Sequence, residues 1–180
     1  MKDWVKPYLQ KKYRGLIGQN EKWEETSIYY ELTDEFEHNF GYGIGGDADW
    51  MISCFGSVLA DLPKEAFDKI RRTKNLIFLF TPNPGAEVKQ IHPEKTIKAG
   101  DLLQIVTFPY GMVSYPPGAA RGSIVHELAH IYLGHTPACE SPEGYEERED
   151  KADEIAKGWG FEEEIQAIKE YYEEYFKEVE

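Results

Sequence analysis

The stretch IVHELAHIYLGH, residues 124–135, carries three of the five histidines in the chain. His126 and His130 are four positions apart. On an α-helix that is about 40° around the axis, so both imidazoles leave one face, one turn apart. The separation suits two ring nitrogens reaching a single ion at about 2.0–2.1 Å. Glu127 follows the first histidine and points to the side, where a carboxylate can meet a water without ligating the ion. A bound divalent ion lowers the pKa of water from about 15.7 towards about 7 and polarises a carbonyl. The carboxylate then carries the water's proton to a leaving amine.

The apolar flanks Ile124, Val125, Leu128, Ala129, Ile131 and Leu133 predict that this helix is buried. Buried His-Glu-His groups need compensation, which a metal supplies. The plainer alternative is a solvated helix that happens to carry two histidines, and the apolar flanks weigh against it. HExxH is the zinc-peptidase signature. A catalytic zinc site keeps three protein ligands and one open position, so a third ligand is needed. Downstream, EEREDKADEIAKGWGF (146–161) places Glu149 and Asp153 four apart on a predicted helix, presenting both carboxylates on one face. With Glu149 as ligand, Asp153 one turn on is set to accept the N–H of a ligand histidine and fix its tautomer. Ala152 is small enough to let the two helices approach. His135, Glu146 and Glu147 compete as third ligand. On an unbroken helix His135 stands about 140° from His130 and faces away, which leaves it the role of a helix C-terminal cap.

HELAHIYLGH, followed by Glu149-x-x-Ala152-Asp153 and Gly158-Trp159-Gly160-Phe161, resembles the gluzincin-type HExxH zinc metallopeptidases, closest to the small ImmA/IrrE-like proteins. The likeness covers about residues 120–161. It implies a zincin-like fold and a zinc metalloendopeptidase acting on a peptide or protein substrate. It also implies Zn2+ on His126, His130 and Glu149, with Glu127 as general base and Asp153 supporting a ligand histidine. The metzincin pattern is not met, since its third histidine would fall at Thr136. Metallopeptidases of this mechanism need a donor for the tetrahedral oxyanion, and Tyr110, Tyr115, Tyr132, Tyr145 and Arg121 are the candidates. The intact Glu127 favours an enzyme, while the long N-terminal segment and small size favour narrow specificity or latency. The rival is a latent or non-catalytic metal-binding regulatory protein that retains the zincin fold.

Composition sets the frame for that helix. A chain of 180 residues with 41% hydrophobic and 29% charged residues reads as one soluble globular domain. A net charge of −13 excludes a general phosphate-backbone binder, so no nucleic-acid partner is expected. Cys54 and Cys139 give no disulfide framework. Signal-peptide and membrane-span patterns are missing, which predicts a cytoplasmic protein without a membrane partner.

The elements that must position the histidines read as α+β. The expectation is a small mixed or antiparallel sheet packed with the HExxH helix and C-terminal helices. Strands are predicted at NLIFLF (75–80) and DLLQIVTF (101–108), with MVSY (112–115) pairing back across Pro109-Tyr110-Gly111. SIYYEL (27–32) is strand-like in content. Helices are expected over 3–14, from Asp47 or Asp49 onward, over PKEAFDKIRR, and over about 120–134, 145–158 and 162–179. Residues 1–46 are unassigned, an N-terminal extension of a single 1–180 domain. Gly41, Gly43 and Gly46 spell GxGxxG, but EFEHNF is not the apolar strand that a nucleotide site requires. DLLQIVTF or MVSY is a candidate edge for binding a peptide by strand addition.

Overall fold

The computed structural model describes residues 1–12, 25–34, 40–41, 48–73, 76–81, 87–91, 103–135 and 142–179. The apolar runs make a mixed four-stranded sheet. Strands β1 (Phe40–Gly41), β2 (Leu76–Thr81), β3 (Glu87–Ile91) and β4 (Leu103–Pro109) lie in the order β1-β2-β4-β3. The first three neighbours in that order are parallel, with Phe78 opposite Val106. β3 runs antiparallel to β4, Val88 facing Val106. In β2, buried Leu76 and Phe78 alternate with half-buried Ile77 and Leu79, the period of a strand with one face on the core. In β4, Val106, Thr107 and Phe108 are all buried, as expected of a strand flanked on both edges.

Two expected strands are not strands. MVSY falls in a 3-10 helix, Tyr110–Ser114, with Met112 fully buried. Both edges of β4 are already taken by β2 and β3, so a returning segment has no partner there. SIYYEL lies in α2 (Glu25–Asp34), where Ile28 and Leu32, four apart, are buried apolar positions. That spacing is helical, and it outweighs the β-branched and aromatic content.

The N-terminal residues are not an appendage. In α1 (Val5–Lys12) Val5 and Leu9 are fully buried, and Pro7 sits in the first turn, where its missing N–H costs no helical bond. Trp4 donates to the Leu62 carbonyl at 2.9 Å, and its ring lies 5.0 Å from that of Phe67. Helix α3 (Ala48–Asp61) meets α2 backbone to backbone: a Cβ on Gly56 would come within 2.4 Å of the Tyr29 carbonyl oxygen. On its sheet side, Phe55 packs edge-on to Phe78 at 4.9 Å. Helix α4 (Lys64–Arg71) begins after Pro63 and buries Ala66, Phe67 and Ile70.

The remaining helices form the half that holds the histidines. Helix α5 (Pro117–Leu133) starts with Pro117 in its first turn and ends at Gly134, whose φ of 70° closes it in the left-handed conformation. It is flanked by α6 (Pro142–Gly158) and α7 (Glu162–Val179). Ala152 is fully buried on α6, consistent with close approach to α5. On the α7 side, a Cβ on Gly122 would lie 2.2 Å from the Glu164 carbonyl oxygen, so the two backbones touch. Among the described residues, no helix is long and apolar enough to cross a membrane.

Candidate metal centre

Three side chains from α5 and α6 converge. His126 Nε2 lies 3.0 Å from His130 Nε2 and 3.0 Å from Glu149 Oε2, while Glu149 Oε1 lies 3.4 Å from His130 Nε2. One possible ligand atom from each residue falls within 4.8 Å of the other two. Two imidazole nitrogens facing each other at this range, with a carboxylate beside them, need a hydrogen or a metal ion between their lone pairs.

The outer nitrogens are held as well. His126 Nδ1 lies 2.9 Å from Asp153 Oδ1. An ionised carboxylate only accepts, so Nδ1 donates and Nε2 is presented to the cluster. Lys169 of α7 pairs with the other Asp153 oxygen. His130 Nδ1 lies 2.9 Å from His135 Nδ1. The expectation that His135 faces away is therefore corrected. The left-handed Gly134 breaks the helix and folds the chain back, and the His135 N–H bonds to the His130 carbonyl at 3.0 Å. The signal lay in Gly134 itself, because the 140° offset applies only to an unbroken helix.

The charges reflect this crowding. Burial lowers the His126 pKa, but hydrogen bonds to Asp153 and Glu149 and the nearby Glu127 charge outweigh it and raise the group to about 10. Burial raises Glu149, yet bonds to both imidazoles hold it far below the usual carboxylate range. Asp153 is likewise lowered, burial being overcome by His126 and Lys169. His135 is lowered by burial and by the neighbouring His130, Arg148 and Lys151. The site, with two imidazole donors and one carboxylate, suits a divalent transition-metal ion. It opens on a cavity of about 320 Å³ lined by Glu127, Tyr145, Lys169 and Tyr172 together with His126 and Glu149.

No known protein family, curated protein or solved structure matches this chain.

Of the competing third ligands, His135 meets the outer nitrogen of His130, and the two glutamates stand apart. Glu146 is exposed, and Glu147 pairs with Lys151 at 2.6 Å. The five oxyanion candidates scatter. Tyr145 lines the cavity and hydrogen-bonds Glu149, although it is largely exposed. Tyr115 packs at a tilt against Tyr171, centroids 4.2 Å apart, and bonds to Tyr172. Tyr132 packs edge-on against Trp159 at 5.3 Å with Lys69 over its ring, away from the cavity lining. Arg121 is held by Ser57 at 2.7 Å, Asp61 at 2.9 Å and Glu164 at 3.1 Å, an interhelical junction rather than a catalytic position. The side chain of Tyr110 lies outside the described residues, as do His38, His92, Thr136, Cys139, Gly43 and Gly46. Cys54 is a core thiol, pushed up to about 11 by burial. Sequence reasoning missed Lys169, Tyr172 and Ser123. Nothing local marks them, because the packing of α7 on α5 brings two of them to the cavity.

Proposed function

We propose that this chain is a zinc-dependent peptidase with a zincin-like arrangement of helices, hydrolysing a peptide bond of a peptide or protein substrate. The observation that carries the proposal is the convergence of His126, His130 and Glu149 beside Glu127 in one cavity. His126, His130 and Glu149 would hold the ion. When bound, it supplies Lewis acidity, polarising the substrate carbonyl and easing loss of a proton from water.

The rest falls to the chain's own groups. Glu127 is 7% exposed and lies next to a ligand without belonging to the ligand set, which suits a base whose carboxylate takes a proton from water. That proton then passes to the amide nitrogen as the C–N bond breaks. Asp153 keeps the His126 ring turned so that Nε2 faces the cluster, and Lys169 anchors Asp153. A metal-binding protein without catalysis has no need of a carboxylate at Glu127, and this favours hydrolysis over the latent alternative.

The test is cleavage of a peptide library by zinc-loaded wild type and Glu127→Gln. Cuts made by wild type and lost by at least about 100-fold in the variant, with equal zinc content, are expected. Equal, chelator-insensitive background in both would overturn the proposal.

A further inference from the structure

We propose that Tyr172 is the hydroxyl donor that binds the substrate's carbonyl oxygen as it becomes tetrahedral. The inference rests on the peptidase reading above and adds a catalytic residue to it. Tyr172 comes from α7, outside the HExxH and Glu149 segments, yet it lines the same cavity as Glu127, His126 and Glu149.

Its position is fixed from three directions. The contact of Gly122 with the Glu164 backbone sets α7 directly on α5. Three residues before Tyr172, Lys169 ties α7 to Asp153 and so to His126. The Tyr172 hydroxyl itself is hydrogen-bonded to Tyr115 and to Ser123. Ser123 is one helical turn before Glu127 on α5, so the bond brings the phenol oxygen to the turn that leads into the site.

Those two bonds fix the phenol at the cavity wall. A phenol carries one O–H proton that it can turn toward a new acceptor, the role an oxyanion donor requires. Burial and the Glu127 charge raise the Tyr172 pKa, keeping that proton in place at neutral pH. The other cavity tyrosine is less suited: Tyr145 is 56% exposed and already bonds Glu149. In the step itself, water oxygen adds to the carbonyl carbon and the carbonyl π pair moves onto oxygen. Glu127 takes the water proton, and Tyr172 donates a hydrogen bond to the new oxyanion without losing its own proton.

Zinc-loaded wild type, Glu127→Gln and Tyr172→Phe should be compared in peptide cleavage and in calorimetric binding of a phosphinic peptide, a tetrahedral mimic. Tyr172→Phe is expected to keep its zinc and its KM while kcat falls about 10²–10³-fold. Its affinity for the phosphinic peptide should fall by a comparable factor. A kcat and a phosphinic affinity within about twofold of wild type, with Glu127→Gln inactive, would overturn the role of Tyr172 alone. Wild type no more active than Glu127→Gln would overturn the peptidase reading and Tyr172 with it. If Tyr172→Phe does not fold, Ser123→Ala decides the question: a kcat loss of several-fold at constant KM supports the assignment, and no loss overturns it.

Discussion

Helix α5 carries two polar clusters, and they differ in kind. Around Arg121, the guanidinium and the Met1 ammonium face Asp61 and Glu164, two positive groups against two negative ones. Around His126 and His130, the carboxylates of Glu127, Glu149, Asp150 and Asp153 line one cavity with Lys169 and the raised His126 as their cationic partners. The first cluster is balanced within the chain and joins α3, α5 and α7. The second turns two ring nitrogens toward one another and has more carboxylates than cations, an excess that a divalent cation would offset. Ion pairs alone therefore do not mark a functional site; a half-buried cluster short of positive charge does.

If the contrast is real, substitutions in the two clusters should have separable effects. The largest is expected for Glu149→Ala, which removes a ligand: zinc affinity by competition with a chelator should fall more than about 100-fold. Asp153→Asn keeps every proposed ligand but weakens the group that orients His126, so the loss should be about 10–100-fold. Arg121→Leu should do the reverse. It leaves Asp61 and Glu164 without their partner, and denaturant unfolding should show a loss of about 1–3 kcal/mol with zinc affinity unchanged.

The smallest effect is a dependence on pH. His126 is raised from 6.5 to about 10 in the metal-free fold, so its stabilising share is complete below about pH 6.5 and is lost as pH rises through about 10. Glu149 and Asp153 are lowered, so their share is present at neutral pH and lost in acid. Metal-free protein should thus lose stability on the alkaline side. Zinc must displace the His126 proton, so its affinity should rise over the same range. Melting curves with and without zinc from about pH 6.5 to 9 should diverge; parallel curves would contradict the assignment of His126 as a ligand.

Much of the site was legible in the sequence because it depends on local periodicity. His126 and His130 share a face through helical spacing with Glu127 to its side, and Glu149 and Asp153 share one on the next helix; the structure brings the two faces together. Helices α5, α6 and α7 begin and end near the expected residues for the same reason, aided by Pro117 and Gly134. What depends on tertiary packing was not legible. Lys169 and Tyr172 look like any polar and aromatic residues of an amphipathic helix until Gly122 brings α7 against α5. Arg121 was an attractive oxyanion donor by its closeness to the motif, yet it lies on another side of α5, facing Asp61. SIYYEL was misread because aromatic and β-branched content was weighed above the four-residue spacing of Ile28 and Leu32. MVSY was misread because sequence does not show that both edges of β4 are occupied.

The central claim is that one divalent ion belongs among His126, His130 and Glu149. X-ray absorption at the zinc edge, on protein purified without a histidine tag and loaded with one equivalent, tests it most directly. The account predicts a nitrogen and oxygen shell at about 2.0–2.1 Å with the outer scattering of two imidazole rings, one ring being lost in His130→Ala. Zinc that shows no imidazole scattering, or a spectrum unaltered by that substitution, would contradict it.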